Sequence, residues 1–514
     1  MKKILLSIVI LVSALAVISC KRDPRPGEVH GTATYRDRPI ADVVVTIASE
    51  SNSYSFSTLT DGYYYFRNIP AGDYTASLKY NDKDVAFDIE NYEKAEHPHL
   101  ITIADNGFHV RNFIIPEDED LGLDTPVIPK EDDYTLPKAE LPILAWYSIP
   151  ADKATEDAYN ELKECGFNIS FSHTSTLAEA QQALELGNKT GVKIMLTCSE
   201  LNTNTAETVN QVKDSPALYG YFLRDEPTNA DLPALAQWAD RVRSADNNHP
   251  IYFNLFPNYV DEATLGGDYE EHVKEAIKTV KPNQVSFDFY PIRETSDGIV
   301  IVPTWWQNLE IIKKYSDEAG LPFWAFALST PHSPYPEPEL AHLRLQMYTN
   351  LAYGATCLQY FTYWCPTPGT WDFHNAPIAL DGTKTSTWTL VKQMNTELQA
   401  RAGVFVGMKV NGVYQTGPAD SQPVGTYPLT GSHEPLSRLN IKTDGAGAVT
   451  SFFENGNWQY LMLVNRSCIA AFDYLIEFKK DVQIVERDGT VRDLGNSDDT
   501  NLDAGDCVIY RWKK

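Results

Sequence analysis

"ALYGYFLRDEPT", residues 217–228, decides how this chain is read. Apolar and aromatic residues run to Leu223, then an arginine, two adjacent carboxylates and a proline follow. A short apolar run closed by a proline is the pattern of a strand buried on both faces, as in a parallel sheet. Side chains alternate along a strand, so Tyr221 and Leu223 are expected against covering helices, with Phe222, Arg224 and Glu226 on the opposite, inner face. The stretch thus predicts a strand that delivers Asp225-Glu226 at its C-terminal end.

The same rhythm repeats on both sides. Seven further runs read as strands: "LPILAWYSIP" (141–150), "FNISFSHT" (167–174), "KIMLTCSE" (193–200), "PIYFNLFP" (250–257), "QVSFDFYPI" (284–292), "PFWAFALS" (322–329) and "CLQYFTYWCP" (357–366). Between them lie stretches with apolar residues at helical spacing, such as "TEDAYNELKECG" (155–166) and "ADLPALAQWADRVRSAD" (230–246). Eight strand-helix units over residues 141–402 match the count and length of a (β/α)8 TIM barrel. A doubly wound open sheet would carry a glycine-rich phosphate loop after its first strand, and "WYSIPADKATED" (146–157) has none.

The flanks have a different texture. Residues 27–115 contain short alternating runs such as "DVVVTIAS" and "YTASLKY" and read as an antiparallel β-sandwich; residues 403–514 read as a second, C-terminal β-sandwich. Residues 116–140 are acidic and proline-spaced, the composition of a semi-extended linker. The expected fold is therefore multidomain, a central barrel between two β-sandwiches.

Composition narrows the partners. A formal charge of −26 with no basic cluster repels polyphosphate, which argues against nucleic acid and favours a neutral or sparsely charged ligand. The histidines show no metal-ligand spacing, so neither a catalytic metal nor a cofactor is expected. Residues 1–20 place two lysines before an apolar run too short for a stable span, which reads as an export signal. After Cys20, six widely spaced cysteines remain, with no CxxC pair; buried free thiols are the simplest reading.

Catalytic groups in such barrels come from the C-terminal ends of the strands. Those ends carry Asp225 and Glu226 on strand four, Asn254 on strand five, Asp288 and Tyr290 on strand six, and Gln359, Tyr363 and Trp364 on strand eight. Aligning strands four and six at their prolines places Arg224 level with Asp288, which predicts an ion pair on the floor of the site. Glu226 serving only to cap the following helix is the structural alternative.

Three family resemblances rest on short motifs. "VISC" at 17–20 resembles the lipobox of bacterial lipoproteins, which implies that Cys20 is lipidated and holds the protein to a membrane of the bacterial envelope, expected to be the outer one, alongside possible glycan-uptake partners. Asp61-Gly62, the aromatic run Tyr63 to Phe66 and Gly72-Asp73-Tyr74 resemble the carboxypeptidase regulatory-like domain, a sandwich without chemistry of its own. Asp225-Glu226-Pro227 resembles the strand-four Asn-Glu-Pro of the clan-A glycoside hydrolases. That resemblance implies a carbohydrate substrate, Glu226 as acid/base, and Tyr290 and Trp364 in the family's strand-six tyrosine and strand-eight tryptophan places.

The family's strand-seven glutamate has no counterpart in "PFWAFALSTPHS" (322–333). Glycoside hydrolysis ordinarily uses two carboxyl groups. Three readings stay open: Asp288, Glu200 or Asp225 supplies the second; a substrate acetamido group replaces it, with Asp225 and Tyr290 orienting that group as in families 18 and 20; or the barrel binds glycan without turnover.

Overall fold

The computed structural model describes residues 26–514 except 37, 60–61, 91–98, 105–106, 117–118, 120, 122–133, 419–420 and 443–444. Cys20, Asp61 and the middle of the acidic segment fall outside the described residues. The chain divides into two compact units at Ile128 and Pro129.

In the first unit, a six-stranded sheet is built on Gly27–Tyr35 and a five-stranded sheet on Val43–Ala48 and Gly72–Tyr80. Alternation decides which face is buried: Val43, Val45 and Ile47 are fully buried while Val44 between them is exposed. They join Val29, Tyr64 and Ile101 in a single core.

The second unit contains an eight-stranded parallel, barrel-like sheet. Its strands are β1 (Ile143–Trp146), β2 (Ile169–Phe171), β3 (Lys193–Leu196), β4 (Leu218–Asp225), β5 (Ile251–Asn254), β6 (Val285–Phe287), β7 (Phe323–Leu328) and β8 (Cys357–Phe361). The hydrogen-bonded order runs β5-β4-β3-β2-β1-β8-β7-β6. A parallel bridge from Leu255 to Phe287, with Leu255 N–H donating to Ser286 O at 2.8 Å, joins its two ends. The interior is packed by Trp146, Phe171, Met195, Phe222, Tyr252 and Phe326. Gly220 of β4 makes one close approach possible, because a Cβ there would sit 2.6 Å from Pro250 O just before β5.

Helices cover the outside. Their starts follow capping chemistry: Thr155 accepts from Ala158 N–H, and Thr176 with Glu179 forms a capping box for Leu177–Thr190. Gly191 and Gly354 end their helices in left-handed backbone.

Residues 409–513 form a seven-stranded antiparallel sheet. Hydrogen bonds join all seven strands, and the arrangement is consistent with the sandwich-like domain expected here. Strand Phe472–Val485 pairs with Leu436–Ile441 before a register shift and with Cys507–Lys513 after it, and the sheet encloses Phe452, Leu461, Phe478 and Trp512. Its other face sends Phe453, Tyr460 and Met462 into the same core as the barrel helices. Residues 134–140, read above as linker, are seated on this part of the unit. Tyr134 Oη donates to Asp493 at 2.6 Å, and Gly403 is so close that a Cβ would meet Pro137 O at 2.2 Å.

No helix among the described residues is long and apolar enough to cross a membrane. All six described cysteines are free and buried.

Candidate active site

A β-bulge sets the site. Along β4 and β5, Phe222 pairs with Tyr252, but Asp225 rather than Arg224 pairs with Asn254. Three residues of β4 thus match two of β5, and the extra residue exchanges the facing of Arg224 and Asp225. Asp225, not Arg224, shares the inner face with Asn254. The expected Arg224–Asp288 ion pair is not formed: Arg224 is half exposed and its Nη2 lies 3.2 Å from Asp231. Glu226 follows in left-handed backbone at φ 44°, its N–H donating to Asn254 O at 2.9 Å. Such a conformation is costly for a non-glycine residue and is held in place here by the β5 contact. Glu226 caps no helix; Asp231 and Thr228 organise the turn before Leu232–Ala245.

Asn254 is the hub. Its Nδ2 donates to Asp288 Oδ1 at 2.8 Å and, at 3.4 Å, to Asp225 Oδ1. The amide is aimed that way by a buried chain across the barrel. Tyr252 Oη donates to Gln359 Oε1 at 2.6 Å, Gln359 Nε2 donates to Ser286 Oγ at 2.9 Å, and Ser286 donates to Asn254 Oδ1 at 2.9 Å. Each acceptor in this chain is satisfied, so the Asn254 N–H groups are left for the carboxylates. Gln359, expected at the ligand, instead stands one layer below it.

Burial and mutual repulsion load protons onto the carboxyls. Asp225 is open to the cleft yet walled by protein, and desolvation pushes it up to about 6 against the Asn254 hydrogen bond. Glu226 is pushed up to about 7, by desolvation first and then by the charge of Asp225. Asp288 is raised well above its ordinary value by burial, Glu226 and Asp225, in that order. No arginine or lysine is placed within ion-pair distance of these three carboxylates among the described residues.

The rest of the rim departs from expectation on strand eight. Tyr363 and Trp364 lie in the outer apolar cluster, Tyr363 against Phe167 at 5.4 Å and Trp364 over Gly382. Neither faces the barrel mouth. Past Phe361 the chain has left the sheet, running beside Trp146 and Tyr147 through backbone hydrogen bonds, and strand alternation no longer applies. Phe361 takes the expected place, 5.6 Å from Tyr290. Tyr290 is on the inner face, packed with Phe326 and Tyr335. Glu200 accepts from Leu177 N–H at 3.0 Å, serving a helix start. On β7 the inner residues Trp324, Phe326 and Leu328 leave no carboxylate opposite Glu226.

Sequence reading missed Tyr147 and His173. Their rings stack at 4.2 Å and 20°, Tyr147 is 42% exposed, and its backbone is also left-handed at φ 45°. In the sequence Tyr147 directly follows Trp146, which is buried at the end of β1, and nothing in that pair separates rim from core. No group of three or more His, Cys, Asp or Glu side chains among the described residues is arranged to hold a metal.

No protein-family model and no curated protein matches the sequence. Solved structures do match the fold. A family 42 β-galactosidase from G. stearothermophilus aligns over 74% of this chain and 99% of its own, with TM-score 0.51 at 9% identity. A family 39 glycoside hydrolase from Bacteroides cellulosilyticus WH2 aligns over 91% and 94%, with TM-score 0.43 at 12% identity. An α-amylase from Geobacillus thermoleovorans aligns over 73% and 98%, with TM-score 0.45 at 9% identity. At these identities the first likeness shows a shared fold and no more.

Proposed function

We propose that the chain is a glycoside hydrolase built on a (β/α)8 barrel and acting on an oligo- or polysaccharide, with Glu226 as general acid/base. The observation that carries this reading is a cluster of three carboxyls, Asp225, Glu226 and Asp288, gathered at the strand ends with no arginine or lysine in ion-pair distance among the described residues, Arg224 acting on Asp225 only from farther off. Near pH 7 a glutamate raised to about 7 still holds a proton to give to a leaving glycosidic oxygen. Asp225, raised less, is ionised above about pH 6 and stabilises the positive charge that develops on the sugar ring. Asn254 donates to Asp225 and to Asp288 and so orients both carboxyls.

A second reading is supported by the apolar inner face of β7, which leaves the usual nucleophile position empty. In it, a substrate acetamido group attacks the anomeric carbon, Asp225 orients its nitrogen, and Tyr290 hydrogen-bonds its carbonyl. Lipidation at Cys20, an envelope location and an N-terminal carboxypeptidase regulatory-like module complete the proposal, each resting on the motifs given above.

Glycan-library turnover with wild type and Glu226→Gln tests the assignment. Loss of general acid catalysis is expected to slow product release by about 10²–10⁴-fold in the variant. Equal turnover by both proteins removes Glu226 from the mechanism, and binding without turnover in wild type leaves a glycan-binding protein.

A further inference from the structure

We propose that Arg293, Tyr259 and Tyr335 form a subsite for an anionic substituent, a carboxylate or a sulfate ester, on the glycan that the cleft accepts. The proposal rests on the glycoside hydrolase reading and names a feature of its substrate.

Arg293 stands on the hairpin Ile292–Thr295 and Gly298–Ile301, three residues after Tyr290. Ile292 beside it is buried, which anchors the hairpin to the barrel top. The guanidinium carbon lies 5.4 Å from the Tyr259 ring centre and 5.9 Å from that of Tyr335. Tyr335 in turn meets Tyr290 edge-on at 5.9 Å, so the arginine is one ring removed from the inner-face tyrosine of the barrel. Tyr259 is 45% exposed, and the cluster is open to solvent on that side.

The contrast with Arg224 is informative. Arg224 has Asp231 as its carboxylate partner. No carboxylate among the described residues is within ion-pair distance of Arg293, and its Nε is buried without a hydrogen-bond partner. Two aromatic faces hold a guanidinium through cation–π attraction while leaving its N–H edge free, and that edge fits a carboxylate or sulfate in bidentate fashion. The Tyr259 hydroxyl, raised by burial, by Tyr335 and by Asp288, is drawn down by Arg293; the arginine and the buried carboxyl therefore act on one and the same hydroxyl.

This sharpens what net charge implies. The overall negative charge is screened beyond about 10 Å at 0.1 M salt. Affinity for a substituent in contact with Arg293 is set locally, beside carboxyls that burial keeps partly protonated.

Full-length protein is titrated calorimetrically with oligouronates, with their carboxyl-reduced counterparts, and with sulfated and unsulfated forms of one oligosaccharide. The expected result is at least a tenfold preference for one acidic form over its neutral backbone. Arg293→Gln removes that preference with neutral binding unchanged, and Arg293→Lys restores part of it, having charge without the planar fork. Which pair shows the preference tells carboxylate from sulfate. Equal affinity for acidic and neutral forms overturns the subsite, as does an equal loss for both in Arg293→Gln. Binding of no glycan overturns the subsite and the glycan reading together. A charge preference with turnover unchanged in Glu226→Gln overturns the catalytic assignment and leaves the subsite standing.

Discussion

Two clusters of buried charge in the second unit are treated in opposite ways. Where helices Leu340–Tyr353 and Ser386–Ala400 meet the C-terminal sheet, Arg344 donates to both Glu397 oxygens at 3.0 and 2.6 Å, and Tyr348 adds a third hydrogen bond at 2.9 Å. Arg487 pairs with Asp506, and Arg401 reaches Tyr348 and Cys507. Arg344 and Arg487 each have a carboxylate partner, and Arg401 is held by neutral groups near Glu397 and Asp506. At the barrel mouth, Asp225, Glu226 and Asp288 act on one another, with the Asn254 amide between two of them and no cation in ion-pair distance among the described residues. Matched charges lock a seam; unmatched ones hold protons near neutrality, where general acid–base chemistry needs them.

Breaking the matched cluster is expected to have the largest effect on folding. Glu397→Gln leaves Arg344 buried without its bidentate carboxylate, which costs about 3–5 kcal/mol where a buried pair loses one member. Urea unfolding measures it. A loss below about 1 kcal/mol would show that the seam is solvated and that the comparison is mistaken.

The unmatched cluster is read through pH. In the proposed mechanism Glu226 holds its proton and Asp225 loses its own, so turnover is expected to fall below about pH 6 and again above about pH 7. The two flanks belong to the coupled carboxyls as a group. Asp225→Asn should abolish the acid-side flank of whatever activity remains. A rate that is level from pH 5 to 9 would separate these groups from the chemistry.

How much of this was legible in the sequence follows from what a strand pattern encodes. All eight runs that alternate with helical stretches are strands of the parallel sheet, because burial on both faces requires apolar runs whatever lies around them. Asp288 and Tyr290 were placed on the inner face from the alternation of strand six, and they keep it although β6 itself ends at Phe287; Asn254 was named only as a strand-five end. Arg224 and Asp225 were exchanged, because a bulge adds one residue and leaves no mark in the hydrophobic pattern. Tyr363 and Trp364 were carried past the end of β8, where alternation has no meaning. Arg293 was passed over because one arginine in "YPIRETSDG" (290–298) looks like any charged loop; its lack of an acidic neighbour is a fact of three dimensions.

The smallest effect carries the sharpest sign. Burial raises Asp288 above the ordinary 3.8, so between that value and its folded pKa the native chain keeps a proton that the unfolded chain has released. Stability therefore falls as pH rises through that window. Asp288→Asn removes the ionisation and keeps an oxygen able to accept from Asn254 Nδ2, now at 2.8 Å from the aspartate. The variant is expected to melt about 2 °C above wild type at pH 8, and level with it near pH 3, below the ordinary 3.8, where neither state carries much charge at this position. A gain of equal size at both pH values would trace to packing. A loss at pH 8 would mean that the carboxylate is stabilised in the fold, and the contrast between the two clusters would disappear.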